Sequence, residues 1–221
     1  MPDDLPDHLP DHTPDDIPRI GLESGESGAA GFTPEEVPAD LLEVAATTSA
    51  EVERFLTTVT EVAAGANPEV AIPLLLLAVS DVLAAGARLG AMVDIVPAER
   101  FEPDVGPDDD LDPLGQALEN LFDGIDEYNE VDDPVLGSTV VTSSISGDLV
   151  LIAGALAQGR RHHDAGQDLE ALWWWQYSYL ANWGERASSL LRVLQAVLAH
   201  LRLDVDDDVA AEAEFQALHG E

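Results

Sequence analysis

Aromatic and cationic side chains that could bind a ligand are concentrated in residues 171–191, with the sequence ALWWWQYSYLANWGERASSLL. At about 100° per residue, one flank of this predicted helix carries aromatic rings, an amide and an arginine. Such a mixture is typical of a surface that binds a small anion or the carboxylate of a partner protein. The candidate binding residues in this helix are Trp175, Tyr179, Asn182, Trp183 and Arg186. Packing inside the core is the alternative role, because buried aromatic residues mostly serve packing.

Residues 159–166, with the sequence GRRHHDAG, contain the only basic cluster of the chain. Arg160 and Arg161 join the candidate binding residues, because they could dock an acidic loop of the same protein or a small anion. Stabilisation of the negative end of a helix dipole, by about 0.3–1 kcal/mol, is the alternative explanation. His162 and His163 would point about 100° apart on a helix, so we do not expect them to bind one metal ion together.

Metal-binding and catalytic motifs are incomplete in this sequence. Residues 108–119, DDDLDPLGQALE, resemble a calcium-binding loop, but Pro113 stands where that loop needs glycine for its turn. His8 and His12 have the spacing of a helical metal pair, but the prolines at every fourth residue around them prevent a helix. The chain has no cysteine, and it contains no phosphate-binding glycine loop and no serine nucleophile motif. We therefore predict no catalytic residue, no metal ion and no cofactor.

The composition limits the partners that we expect. Nine arginines and no lysine face 44 acidic residues, which gives a formal net charge of −35 at pH 7. This field repels nucleic acid phosphates and anionic lipid headgroups, so we predict no direct nucleic acid binding and no membrane binding. The first residues carry neither a basic start nor an apolar run, and we expect a cytoplasmic protein.

Composition also divides the chain into three parts. Residues 1–32 are predicted to be a disordered tail, because prolines recur every four residues and aspartates are abundant. Residues 33–203 contain long apolar stripes and are predicted to form one helical domain. Residues 204–221 are predicted to be an acidic C-terminal tail that is able to form one loose helix.

The apolar stripes predict an all-α fold, a single bundle of about five helices. The first helix is predicted to begin at Ala39, after a cap at Thr33, and to end near Gly65. The fifth is predicted to begin near Asp168 and to run unbroken to Leu203.

The second predicted helix, residues 69–92, is so apolar that a membrane span must be considered. Asp81 and Arg88 interrupt the apolar run, and Pro73 lies early within it. A buried core helix is therefore the better interpretation.

The third and fourth helices are separated by a short β-branched run, residues 139–142, which we interpret as an extended connection without a sheet. The third helix is predicted to be capped by Asp112 and to carry Tyr128 on its buried face. The fourth is predicted to be capped by Ser146 and to end at Gly166.

The aromatic segment, the apolar second helix and the sequence ISGDL at residues 145–149 together resemble the bacterial domain of unknown function 5063 family, and its actinobacterial branch in particular. The resemblance covers residues 52–203. It implies an all-helical cytoplasmic protein, and it brings no established activity. In the family pattern that this resemblance implies, aspartates stand in place of Gly147 and Leu151, and many relatives carry histidines in place of Asn182 and Arg186. This sequence retains Asp148 alone of such a set, so the resemblance does not imply a metal site here.

From the sequence we expect a non-catalytic binding or adaptor protein, which recognises a partner protein or a small anion through the aromatic and arginine side chains named above. One alternative is an enzyme with a metal or acid–base site inside the bundle. A second alternative is an acidic nucleic-acid mimic linked to recombination and repair. The mimic would need a rigid row of carboxylates, whereas most acidic residues fall in the predicted tails and loops.

Overall fold

The structure is a computed structural model that describes residues 37–97, 103–107, 109–132, 135, 137 and 139–203. The predictions for residues 1–32, for Thr33 and for residues 204–221 lie outside this part of the chain. The elements are, in chain order, α1 (Ala39–Ala63), a 3₁₀ turn (Pro68–Val70), α2 (Ala71–Gly90), α3 (Asp112–Leu121), β1 (Glu127–Val131), β2 (Val140–Ser144), α4 (Ile145–Asp164), α5 (Asp168–Ser178), a π turn (Tyr179–Trp183) and α6 (Gly184–Leu203).

The described fold is predominantly helical, as the apolar periodicity predicted. Because α5, the π turn and α6 follow one another without a break, they form one long helical rod. With this rod counted once, the described residues contain five helical rods. Gly166, with φ 76°, lies between α4 and the rod, where the sequence predicted that α4 ends.

The first helix begins at Ala39, directly after Pro38, and ends just before Gly65, as predicted. Proline favours the first turn of a helix because it lacks the amide proton that would remain unbonded there. Gly65 has φ 71°, a left-handed conformation that glycine adopts at little cost. On the inner face of α1, Val52, Phe55 and Val59 are each 1% exposed.

The second helix lies in the core, packed against α1 and α6. Leu75, Val79 and Val82 are at most 1% exposed and face these neighbours. The segment Pro68–Gly90 is long and apolar enough to cross a membrane by length and composition, a test that the core helices of soluble proteins also pass. Its buried face supports the core interpretation.

Residues 127–144 form a β-hairpin where the sequence predicted none. Strands β1 and β2 pair in antiparallel register, with Tyr128 opposite Ser143 and Glu130 opposite Val141. The prediction that Tyr128 lies on the third helix is therefore wrong, and so is the prediction of an unpaired connection at residues 139–142. The third helix ends at Leu121, and Gly124, with φ 84°, turns the chain into β1.

Two of the predicted helix caps, Ser146 and Asp112, are wrong. Ser144 caps α4, because its hydroxyl accepts a hydrogen bond from the amide of Gly147 at 3.1 Å. Ser146 instead donates its hydroxyl and its amide to the carboxylate of Asp126. Leu111 precedes α3 and no side chain caps this helix, so the prediction that Asp112 caps it is wrong; the amide of Asp112 donates to the carboxylate of Asp110 at 3.1 Å.

Candidate functional site

Trp175 does not lie on the protein surface. It is 0% exposed, and its indole Nε1 donates a hydrogen bond to the carbonyl oxygen of Leu156 in α4 at 3.0 Å. Gly159 makes this approach possible, because a Cβ at that position would lie 2.2 Å from Nε1. The prediction that Trp175 contributes to a binding surface is therefore wrong, and packing between α4 and α5 explains this residue.

The next two aromatic candidates, Tyr179 and Trp183, pack against α2. Trp183 is 1% exposed, and its ring meets the ring of Tyr179 edge to face, with centroids 5.0 Å apart. Both rings lie over Gly86, where a Cβ would come within 2.3 Å of Tyr179 and 2.6 Å of Trp183. Trp183 therefore also fails as a surface residue. Asn182 is exposed and Tyr179 is half-buried.

The π turn explains why Arg186 does not share one flank with Trp175 and Tyr179. A π turn places one more residue in a helical turn than an α-helix does. Since each α-helical residue advances about 100°, this extra residue rotates every later side chain away from the position that regular spacing predicts. Arg186 follows the turn, and it does not continue the line of Trp175 and Tyr179.

Arg186 instead binds the hairpin. Its guanidinium donates to Glu130 Oε1 at 2.7 Å and to Ser143 Oγ at 3.0 Å, and it lies 3.8 Å from Asp148 Oδ1. Tyr128 donates its hydroxyl to Asp148, and Ser143 donates to Glu130. We call these five residues the hairpin lock, because they connect β1 and β2 to α4 and α6.

The hairpin lock contains three groups with altered proton affinity. Burial raises the pKa of Asp148, although the hydrogen bond from Tyr128 and the Arg186 charge act in the opposite direction. Burial, and then the hydrogen bond to Asp148, raises the pKa of the Tyr128 hydroxyl. Burial alone would also raise the pKa of Glu130, but hydrogen bonds from Ser143 and Ser189 and the Arg186 charge lower it overall.

The two arginines of the basic cluster form ion pairs with acidic residues. Arg160 lies 3.0 Å from Asp164 and 3.6 Å from Glu53 of α1. Arg161 Nη1 lies 2.9 Å from Asp109 Oδ2, 52 residues away in the chain. Arg161 therefore docks an acidic loop of its own chain, one of the two roles that the sequence suggested for it.

Residues 109–111 form a short acidic strap across α4. Asp109 reaches Arg161, and Asp110 accepts the amide that begins α3. Leu111 lies over Gly154, where a Cβ would be 3.2 Å from the Leu111 Cδ1 atom. We call residues 109–111 the strap.

A cavity of about 430 Å³ lies between the strap, α4 and α5, and we call it the α4 groove. Its lining includes Asp109, Leu111, Gly154, Gln158, Arg161 and Trp174. Trp174 is half-buried, and its indole Nε1 donates to the carbonyl oxygen of Ala155 at 2.8 Å, which holds the ring at the edge of the cavity. An aromatic ring and a guanidinium thus both line this surface cavity, but they belong to Trp174 and Arg161 and not to the predicted flank of Trp175 and Arg186.

Leu111 separates the α4 groove from a second cavity of about 420 Å³. The lining of this second cavity includes Asp112, Glu119, Ser146 and Val150. Its charged side chains are acidic, whereas the α4 groove contains Arg161. The groove is therefore the better place for an anionic ligand.

Within the described part of the chain, no group of three or more histidine and acidic side chains is arranged to hold a metal ion. His162 is fully buried, and its Nδ1 lies 2.8 Å from Gln167 Oε1. The Nδ1 atom of His163 faces Asp168. Each histidine therefore has a hydrogen-bonding partner next to it, which accounts for the pair structurally.

Comparison with known proteins places the chain in a family. The family model described as Domain of unknown function (DUF5063) matches residues 39–200. The chain belongs to this family. The crystal structure of protein BF1032 from Bacteroides fragilis is similar in fold, with a TM-score of 0.51 and 16% sequence identity over 71% of this chain and 89% of that one. No curated protein sequence matches the chain.

Proposed function

We propose that this member of the DUF5063 family is a non-catalytic binding or adaptor protein, which recognises a carboxylate of a partner protein or a small anion in the α4 groove. The observation that carries this proposal is the contact of Arg161 with Asp109 at 2.9 Å, beside the ring of Trp174. The groove already holds a carboxylate from its own chain, so its chemistry accepts one.

The energetics of this contact allow a ligand to compete. The side chain of Asp109 is 58% exposed, and the side chain of Arg161 is 19% exposed. Exposed ion pairs contribute about 0–1 kcal/mol, so Asp109 can be replaced at little cost. A ligand that adds apolar contact with Trp174 and Leu111 would gain about 25 cal/mol for each Å² of apolar surface that it buries.

An acid–base centre at the hairpin lock is the second candidate function. Burial raises the pKa of Asp148, as in many proton donors, and Tyr128 lies next to it. A structural role explains the same contacts without a substrate, because the carboxylates of Asp148 and Glu130 are bound by side chains of the lock itself. We therefore favour the α4 groove as the functional site.

The expected setting of this function follows from composition. We propose a cytoplasmic protein of the actinobacterial branch, with an all-arginine set of basic residues in agreement with this origin. The net charge of −35 favours a protein or small-molecule partner over nucleic acid or membrane.

Affinity capture from the cells that produce the protein tests the proposal. Wild type and Arg161→Ala would be compared with Arg88→Ala, which changes the net charge equally at an exposed position of α2. We expect a captured partner or anion to be lost with Arg161→Ala and retained with Arg88→Ala. Equal capture by all three proteins would contradict binding in the α4 groove.

A further inference from the structure

The outward face of α5 carries an aromatic pair beside a carboxylate. At about 100° per residue, Glu170, Trp173 and Tyr177 fall within an arc of about 60° around the helix. This arc lies opposite Trp175, which is 0% exposed and packs against α4. Tyr177 is 55% exposed, and Glu170 and Trp173 are half-buried. These three side chains therefore share a face that is open to solvent, and we call them the aromatic platform.

The two rings of the aromatic platform stack on each other. The centroids of Trp173 and Tyr177 lie 5.5 Å apart, and their planes differ by 9°. The ring of Trp174 meets Trp173 edge to face, with centroids 6.1 Å apart, and supports the pair from a second side. Side chains that are already ordered lose less conformational entropy when a partner binds. The pair is therefore a prepared contact surface for a group that packs on aromatic faces.

The charges around the aromatic platform favour a cation. The sequence of α5, DLEALWWWQYS, contains two carboxylates and no basic residue, and Glu170 lies one turn before the ring pair. The side-chain amide of Gln176 bonds the backbone of Val93 and Ile95, which brings the exposed Asp94 to the side of α5. Aromatic faces attract cations, and a nearby carboxylate adds an ion pair.

We propose that the aromatic platform is a docking site for an arginine side chain of a partner protein. The guanidinium packs on the stacked rings of Trp173 and Tyr177, and the carboxylate of Glu170 is its ion-pair partner. Arginine fits better than lysine, because its planar guanidinium stacks on aromatic rings and binds a carboxylate through two N–H groups. This inference goes beyond the proposed function, and it does not depend on an anion in the α4 groove.

The net charge of −35 identifies the occupant as a basic segment of another protein. A second copy of this chain carries the same charge and is repelled, and so are anionic lipid headgroups. A partner with exposed arginines is attracted instead, because complementary charge raises the rate of encounter. General attraction does not select one orientation of the partner. The aromatic platform adds this selection, since the stacked rings hold one planar guanidinium in place.

Titration of the full-length protein with an arginine peptide tests the inference. The probe is a pentapeptide of alternating glycine and arginine, acetylated and amidated at its ends, and the indole N–H resonances are the readout. Its control contains citrulline in place of arginine, which keeps the planar side chain and removes the charge.

We expect the arginine peptide to cause a saturable shift of the Trp173 resonance and no shift of Trp183, which is 1% exposed and packs against α2. The citrulline peptide should leave Trp173 unshifted. An equal shift with both peptides would overturn the proposal, since it would mean that the platform binds apolar or planar groups without regard to charge. The absence of a shift with the arginine peptide would overturn it as well.

Variants of the aromatic platform give the control for specificity. Tyr177→Ala removes the exposed ring, and Glu170→Gln removes the charge. Each should weaken binding of the arginine peptide about two- to fivefold, as expected for loss of one contact at an exposed site. Tyr177→Phe keeps the ring and should bind as wild type does. Glu185→Gln, at an exposed position of α6, changes the net charge equally and should also bind normally. Equal weakening by Glu170→Gln and Glu185→Gln would overturn the proposal, because it would reduce the effect to net charge.

Arg161→Ala separates the aromatic platform from the α4 groove. This variant should bind the arginine peptide as tightly as wild type, whereas loss of binding would overturn the platform. The probe for the groove is an acetylated peptide of residues 107–112, PDDDLD. If this acidic peptide shifts Trp174 while the arginine peptide leaves Trp173 unshifted, the groove is supported and the platform is overturned. The reverse result supports the platform and contradicts the groove.

Discussion

At the scale of single residues, the structure depends on places where glycine allows an aromatic ring to approach a helix backbone. Gly159 receives Trp175, and Gly86 receives Tyr179 and Trp183. In each case a Cβ would overlap the ring, with distances between 2.2 and 2.7 Å. The rings are buried or half-buried and have no room to move aside, so these glycines are required by packing.

Gly159→Ala is expected to destabilise the protein by about 1–3 kcal/mol, because the added Cβ overlaps the buried indole of Trp175. Gly115→Ala is the matched control. Its Cβ would lie 3.5 Å from Val150, an ordinary contact, and alanine is favoured over glycine in a helix by about 1 kcal/mol. Urea unfolding followed by tryptophan fluorescence measures both. Equal stability of the two variants would contradict the close packing at Gly159.

Glu130→Gln tests the charge balance of the hairpin lock. The pKa of Glu130 is lowered in the folded protein, so its contribution to stability is full above the ordinary glutamate value of 4.5 and is lost as the pH falls through the folded value. We expect a loss of about 1–3 kcal/mol at neutral pH, since Arg186 loses its 2.7 Å partner. Asp148 affects stability in the opposite direction. Because its pKa is raised in the folded protein, its ionisation opposes folding as the pH rises above 3.8, the ordinary aspartate value.

The measurement is the difference in unfolding free energy between wild type and Glu130→Gln as a function of pH. This difference should shrink as the pH falls below 4.5. A difference that stays constant across this range would mean that the Glu130 side chain contributes to the unfolding free energy through packing and not through its charge.

At the scale of elements, the rod of α5, the π turn and α6 organises the molecule. Gln176 of α5 accepts the amide of Ile95 at 2.8 Å and donates to the carbonyl of Leu89 at 2.8 Å, which fixes the chain after α2. Gln176 is 4% exposed, and a buried side-chain amide needs such partners. Position 184, directly after the π turn, requires glycine, because a Cβ there would lie 2.6 Å from the carbonyl oxygen of Tyr179.

Gln176→Leu should release the segment after α2 while leaving the helices folded. The change removes the side-chain oxygen that accepts the Ile95 amide, and a buried donor left without a partner costs about 1–3 kcal/mol. Hydrogen exchange at the Ile95 amide should become faster than in wild type, and the exposed change Gln195→Leu in α6 should leave it unaltered. Unchanged protection of Ile95 in a folded Gln176→Leu variant would contradict this anchoring role.

The helices could be predicted from the sequence because each has a long apolar stripe with helical spacing. The hairpin could not, since its strands are five residues long and Tyr128 also fits the spacing of the preceding helix. The groove was only partly predictable. Arg161 was identified from local charge, but the contact with Asp109 joins positions 52 residues apart. Trp174 was missed because the spacing of residues along α5 does not reveal which neighbouring helix packs against each of its faces. The face that carries Trp174 lies against α4.

At the scale of the whole molecule, self-repulsion among 44 acidic side chains opposes the compact state. In the described ion pairs of Arg160 with Glu53 and Arg161 with Asp109, the acidic partner is 63% and 58% exposed, and exposed pairs contribute about 0–1 kcal/mol each. The repulsion acts over the entire surface, so it should outweigh these few attractive contacts.

Added salt should therefore stabilise the protein. Raising KCl from about 0.01 M to about 1 M shortens the Debye length from about 30 Å to about 3 Å, which screens the long-range repulsion. We expect the melting temperature to rise across this series in thermal unfolding followed by circular dichroism. A melting temperature that falls with salt would show that attractive ion pairs dominate instead.

Titration of the protein with the acetylated peptide of residues 107–112 tests the central claim most directly, with the four indole N–H resonances as the readout. The account predicts a saturable shift of the Trp174 resonance, with Trp175 and Trp183 unchanged because they are buried elsewhere, and the loss of this shift in Arg161→Ala. No shift of Trp174, or an equal shift in Arg161→Ala, would contradict a carboxylate-binding groove beside α4.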